Sequence, residues 1–310
     1  MRLPLLEGRE DRQGTMQWDA GAIYGVAMVP KLGPCRLCLV EGERRKSHIL
    51  PAWAYRRIVA NLPSPARPLQ VRAEATIETD RQIWEYLLCD ACEERLSPWE
   101  NYASKVLVQE DGPFPWLAGC TPVVSRDDLE ALDASGLDTD ALCRFGSSVI
   151  WRASVSREAV PGLSLGTYDE QFRRYLFTDG APFPEKAALV AYLQKPPKTN
   201  LPPADQIVTL PVQKRNSGYS CHKFALCGVV FYLFVGGQVP DVFSVLCLAR
   251  TRRVCAIPSD RFMEDLGGLI LKSPPKGVFA RKQAQEARAN AGYAASIARM
   301  PWGTTIARSR

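Results

Sequence analysis

Two cysteine pairs with the same spacing, Cys35-Arg-Leu-Cys38 and Cys89-Asp-Ala-Cys92, limit what this chain can fold into more than any other feature. Each Cys-x-x-Cys pair delivers two thiolates, and two such pairs make up the four-sulfur set of a closed tetrahedral zinc site. Fifty residues lie between the pairs, and each pair sits beside a short apolar, strand-like run. The competing readings are two unrelated thiol pairs, or a thioredoxin-type redox motif, which here lacks its βαβ context.

Zinc is favoured over disulfides by the expected compartment. Residues 1–20 carry Glu7, Arg9, Glu10, Asp11 and Arg12 where a secretory signal would have an apolar core. The longest apolar run, Phe224 to Val235, is too short to span a bilayer. An intracellular, reducing location is expected, specifically the cytoplasm with no membrane association, and there paired cysteines hold metal. The other six cysteines, at positions 120, 143, 221, 227, 247 and 255, lie mostly in apolar surroundings and read as small hydrophobes.

The 310 residues suffice for two domains, and 46% hydrophobic with 23% charged residues is the composition of an ordinary globular protein. The expected class is α+β. Residues 1–33 read as a loosely ordered lead-in and 34–110 as the zinc domain. Gly112–Pro122 is a Pro/Gly/aromatic linker leading to a second α+β domain over 120–271. Residues 272–310 form a helix-prone tail with eight basic residues against Glu286 alone, a net +7 in a chain whose formal net charge is +6. That tail is a candidate phosphate contact or a solubilising segment.

Within the zinc domain, Leu39–Val40 and Ser47–Leu50 suit a hairpin turning at Glu41–Gly42. Pro51 opens a helix, where its missing N–H costs nothing. Ser97-Pro98-Trp99-Glu100 is a capping box, predicting a new helix from Ser97 to about Val108. Beyond the linker, helices are predicted from Ser125, from near Asp138 through Trp151, and over Tyr168–Phe177. Runs at 188–193, 207–212, 224–234, 242–248 and 253–257 read as strands of one antiparallel sheet. A closing helix is predicted over 260–271. His222 reads as ending or edging a strand, with no ligand-spaced companion.

The order Cys-x-x-Cys, Ser47-His48-Ile49-Leu50-Pro51, then Leu87-Leu88-Cys89-x-x-Cys92-Glu93 resembles the HNH endonuclease family in its four-cysteine form, over about residues 33–108. The resemblance implies a ββα-metal fold of treble-clef type stapled by structural Zn²⁺, with Cys35, Cys38, Cys89 and Cys92 as its ligands. His48 falls on the family's general base and Pro51 on the proline after it. The family's catalytic ion is held by an Asp before that His, an Asn ahead of the second pair and a His on the next helix. Here Ser47 stands in place of the Asp, Trp84 or Glu85 near the Asn, and Glu93 in place of the helix His. A neutral hydroxyl is a weak ligand for a hard dication, whereas Glu93 suits Mg²⁺ or Mn²⁺.

Two functions follow from the resemblance and stay open. One is a metal-dependent DNA endonuclease using His48 and Glu93, in a bacterial or phage defence or mobile-element setting. The other is a catalytically inactive, zinc-stabilised subunit of a larger assembly. Arg44, Arg45, Lys46, Arg56 and Arg57 flank the motif and are candidate contacts to nucleic acid, with DNA favoured; as short charge runs they equally suit solvated turns. A protein partner is expected through the C-terminal domain or the basic tail. The stretch Ser148–Ser156, with Gly166 and Tyr168–Leu176 after it, also looks like the second module of uncharacterised bacterial proteins that carry the same cysteine module.

Overall fold

The computed structural model describes residues 31–61, 69–71, 76–79, 81–107, 115–126, 129–194 and 208–257, with isolated positions between 276 and 285. Residues 1–30 of the lead-in, the predicted closing helix over 260–271 and nearly all of the basic tail lie outside the described residues, while residues 31–33 of the lead-in are strand.

The first cysteine pair forms the tip of a hairpin between β1 (Lys31–Pro34) and β2 (Glu41–Arg44). Glu41–Gly42 is therefore strand and not the predicted turn. The knuckle itself makes the reversal: the Cys35 amide donates to the Val40 carbonyl, and Leu39 takes a left-handed conformation with φ 65°. The chain then gives β3 (Lys46–His48), α1 (Ala52–Asn61), a small hairpin of β4 (Leu69–Val71) and β5 (Thr76–Glu78), and β6 (Trp84–Tyr86). β3 pairs antiparallel with β6, so the first motif segment meets residues nearly forty positions away instead of its neighbour.

The second pair starts α2 (Asp90–Leu107), a single helix that runs through the predicted capping box with Pro98 inside it. The cap chemistry of Ser97 is overridden because the helix is already nucleated upstream, where the amides of Cys92 and Glu93 both donate to the Cys89 carbonyl. Pro98 and Glu94 lie on the exposed side, where water can take the place of the missing amide.

After the short α3 (Pro115–Ala118), the segment predicted as a helix from Ser125 is instead the strand pair β7 (Thr121–Arg126) and β8 (Leu129–Asp133). α4 (Thr139–Val155) starts where predicted, with the Asp138 carboxylate accepting the Ala141 amide at 2.9 Å. A 3-10 turn at Gly166–Tyr168 leads into α5 (Asp169–Phe177). There follow β9 (Ala187–Gln194), β10 (Val212–Asn216), β11 (Tyr219–Leu226), β12 (Val229–Gly236), α6 (Asp241–Val245), α7 (Leu248–Thr251) and β13 (Arg253–Ile257).

Seven strands make one sheet in the order β10-β11-β12-β9-β13-β8-β7, antiparallel throughout except for the parallel pair β13–β9. The class is α+β, as expected. Three readings of the apolar runs are corrected: of the run 207–212 the described residues hold only an isolated bridge at Val208 and the first residue of β10, Val212. The run 224–234 holds a hairpin, because Cys227 and Gly228 both adopt positive φ and turn the chain. The run 242–248 is the helices α6 and α7, whose apolar residues cover the sheet: Phe243 stacks on Phe234 at 3.8 Å between centroids. His222 is corrected too. It lies inside β11, fully buried between β10 and β12, with neither ring nitrogen bonded, and burial pushes its pKa down to about 4.

α4 is the axle of the molecule. Fourteen of its seventeen residues are buried, because it packs on the sheet from one side and on α2 and α5 from the others. A line of aromatic contacts crosses it, from Trp53 on α1 to Phe145 (6.3 Å), then to Phe231 on β12 (5.9 Å), which stacks on Phe224 (5.0 Å). Cys35, Leu37 and Leu96 thereby share one apolar core with Phe231 and Val254. Gly146 lets the helix approach this closely: a Cβ there would sit 2.9 Å from Phe231 and 3.2 Å from Leu189. Gly146→Val is therefore expected to destabilise by roughly 1–3 kcal/mol despite its better helix propensity, measured as a lower denaturant midpoint.

Candidate metal centre

β1–β2 presents Cys35 and Cys38 from its knuckle, and α2 presents Cys89 and Cys92 at its first turn. The four Sγ atoms lie within 4.8 Å of one another, and Cys38 Sγ is 3.8 Å from Cys89 Sγ. A disulfide would bring sulfurs to about 2.0 Å, whereas the edge of a tetrahedron with Zn–S of about 2.3 Å is about 3.8 Å. The donor set and its spacing fit zinc, and the hairpin-plus-helix frame is compatible with the treble-clef domain expected from the sequence. Among the described residues this is the one group of three or more potential ligands close enough to hold an ion.

The thiol electrostatics explain why a cation is wanted there. Burial opposes ionisation of Cys35, yet amide bonds from Cys38, Cys89 and Leu37 outweigh it and lower its pKa. Burial raises the pKa of Cys92, and the charge on Cys35 raises it further. Cys89 is raised as well, first by burial. Four thiolates cannot coexist here without a positive charge among them, and a dication supplies it.

The residues that the sequence resemblance assigns to a catalytic ion are engaged with one another and with the fold. Ser47 is fully buried, donates its hydroxyl to Glu93 and accepts the Leu88 amide at 3.0 Å. The two residues thus close on each other and pin β3 to α2. Burial raises the pKa of Glu93, with Arg152 and the Ser47 hydroxyl pulling it back. Glu85 points away into the loop after α4. There it accepts the Ser156 hydroxyl at 2.6 Å and the amides of Arg157, Glu158 and Ala159. Those bonds hold its carboxyl below the ordinary range in spite of burial.

A residue unforeseen in the sequence occupies the middle of this region. Arg152 of α4 is only 1% exposed. It donates to the His48 carbonyl at 2.7 Å, to the Glu100 carboxylate and to the Ser148 hydroxyl at 3.3 Å. Burial works against its charge, but Glu100 and Glu93 outweigh that and hold it protonated. His48 is half-buried. Its pKa is lowered first by burial and then by the Arg152 charge, against a hydrogen bond with Gln82 that raises it. Arg144, Ser148 and Arg152, spaced four apart on a helix of otherwise apolar and small residues, were the available signal of a polar stripe inside the core.

Of the flanking cations, Arg44 donates to the Leu32 carbonyl, and Arg45 is engaged by Asp90 at 3.1 Å and Glu43 at 3.4 Å. Arg57 is half-buried on α1. Lys46 and Arg56 are exposed, with Lys46 Nζ lying 4.6 Å from the centre of the Trp84 ring. Arg173 of α5 donates to the Leu37 carbonyl inside the first knuckle at 2.6 Å, so the second half of the chain braces the metal centre directly.

No family model matches this chain, and no curated protein or solved structure is significantly similar to it. No helix among the described residues is long and apolar enough to cross a membrane.

Elemental analysis is expected to give about one zinc per chain. Each ligand must lose a proton to bind metal, so affinity falls with falling pH and acidification releases the ion. Chelation, or Cys35→Ser, is expected to lower the melting temperature of the whole described fold in one transition, because the knuckle shares its core with the sheet. Arg152→Met leaves Glu93 and Glu100 without their buried cation, and denaturant melts should show a loss of about 3–5 kcal/mol.

Proposed function

We propose that this protein is an HNH-like, zinc-stapled module that binds nucleic acid, with DNA favoured, and does not cut it. The observation that carries this reading is the Arg152 guanidinium, lodged against the His48 backbone and neutralising Glu93 and Glu100. One-ion phosphodiester cleavage needs a dication with open positions for the scissile phosphate and for water. A guanidinium neutralises carboxylates but offers no coordination site. It also makes the neighbouring imidazole a weaker base. Mg²⁺ or Mn²⁺ held by Glu93 would have to displace both Arg152 and the Ser47 hydroxyl.

What remains on the outside of the module suits binding. Lys46 and Arg56 are exposed beside the motif, and the +7 tail supplies further cations. A bacterial or phage defence or mobile-element setting in the cytoplasm is part of the same proposal. The competing reading, a zinc-stabilised subunit of a protein assembly, is favoured by Leu32, Leu39 and Val40, which stand 57–70% exposed around the first knuckle.

The test is a plasmid-nicking assay in Mg²⁺, Mn²⁺ or EDTA beside His48→Ala, with zinc counted and binding followed by gel shift. The expected result is one zinc per chain, a salt-sensitive shift and intact plasmid under all three conditions. Nicking that needs the added metal and disappears in His48→Ala would overturn the non-cleaving assignment.

A further inference from the structure

The β3–β6 ribbon has two unlike sides. Its register sets Lys46 opposite Tyr86, Ser47 opposite Glu85 and His48 opposite Trp84. Successive side chains of a strand point to opposite faces. Ser47 and Glu85 therefore share the inner side, where one bonds Glu93 and the other the loop after α4. Lys46, Trp84 and Tyr86 share the outer side, with His48 at its edge. The contacts agree: Trp84 meets Tyr86 edge-on at 5.4 Å, and Lys46 lies over the Trp84 ring.

Trp84 is 39% exposed, the one tryptophan among the large exposed hydrophobic residues of the described chain. Core packing does not explain an indole there, since the inner side of the same ribbon is polar. Arg56 is exposed on the following helix and close enough to His48 to depress its basicity. The outer side thus offers two aromatic rings with Lys46 over one of them and Arg56 on the helix that follows His48, and its register places no carboxylate among them.

We propose that this face binds single-stranded nucleic acid, with a base stacked at Trp84 and Tyr86 and the flanking phosphates held by Lys46 and Arg56. This rests on the reading that the protein binds nucleic acid, and it adds which form and which residues. A duplex presents phosphates but keeps its base faces stacked inside, so it could use the cations and not the rings. A single strand uses both, and every base has a π-face to stack. Arg44 and Arg45, adjacent in sequence, are left out because their guanidiniums are already engaged within the module.

The experiment measures anisotropy of a labelled oligothymidine of about 20 nucleotides and of a duplex of equal length, with the full zinc-loaded chain over a salt series. The single strand is expected to bind about tenfold or more tighter than the duplex. Trp84→Ala should weaken it by about tenfold, while Trp84→Phe stays within roughly threefold. Lys46→Ala with Arg56→Ala should flatten the salt slope by about 1.4, and Arg45→Ala should change nothing. Polyglutamate, which has charge without planar faces, should compete poorly. Zinc content and melting temperature of each variant report whether its fold is kept, and Trp84→Phe and the cation pair test the face even if Trp84→Ala unfolds. Equal or tighter duplex binding, Trp84→Ala indistinguishable from wild type, or full competition by polyglutamate would overturn the stacking face while leaving a nucleic-acid binder. Wild-type protein that binds neither form at low salt would sink the proposed function and this inference with it.

Discussion

A guanidinium taken out of water is tolerable only if its charge is answered and its donors find acceptors, and the seam of this protein answers the charge of Arg152 and bonds its two terminal nitrogens, while its Nε is left without a partner. Its charge is answered by Glu100 and Glu93 from α2, and its donors reach the His48 carbonyl and the Ser148 hydroxyl. Either half of the chain alone would hold half of a costly network: two partly buried carboxylates on one side, or a buried cation on the other. Docking α4 against α2 and β3 completes it. The Arg173 bond to the Leu37 carbonyl, the Arg95–Asp179 pair at 2.8 Å and the capture of Glu85 by the amides after α4 repeat the same logic around the rim.

The four-cysteine cluster and the sheet are consequently parts of one body. In an isolated zinc module the metal would serve mainly to fold a small domain that lacks sufficient core. Here the knuckle residue Leu37 and the helix residue Leu96 are buried in the same apolar cluster as the sheet, so the four sulfurs fix the orientation of α2 for everything that packs on it. The polar residues beside the cluster serve that orientation. Ser47 and Glu93 fasten strand to helix, and Arg152 answers the charge of the neighbouring carboxylates.

Much of this was legible in the sequence where local chemistry is decisive. Cys-x-x-Cys spacing requires a tight turn or a helix start, so the ligand set could be read directly. Asp138 before an apolar run capped a helix in the expected place. The errors occurred where two local signals competed or where a long-range partner decided. Ser97-Pro98 is a good helix start, but a helix already running from Asp90 had no reason to stop. Val242–Leu248 has strand composition, yet the sheet surface it covers favoured short helices that place Phe243 on Phe234. Residues 224–234 hid a turn because Cys227 is an unusual occupant of positive φ.

The sequence by itself determined the four-cysteine set, the α+β class and the presence of Ser47 and Glu93 beside it, because each depends on residue type and short spacing. Only the tertiary structure decided what those two residues do. Glu93 as a ligand and Glu93 as the acceptor of a serine hydroxyl are the same letter, and the choice is made by Arg152, which approaches from 59 positions further along the chain. The physical reason is that burial sets the energy of a charge and burial is a property of packing. An arginine in a helix is a solvated side chain until a second element removes its water, and here α2 and β3 do so.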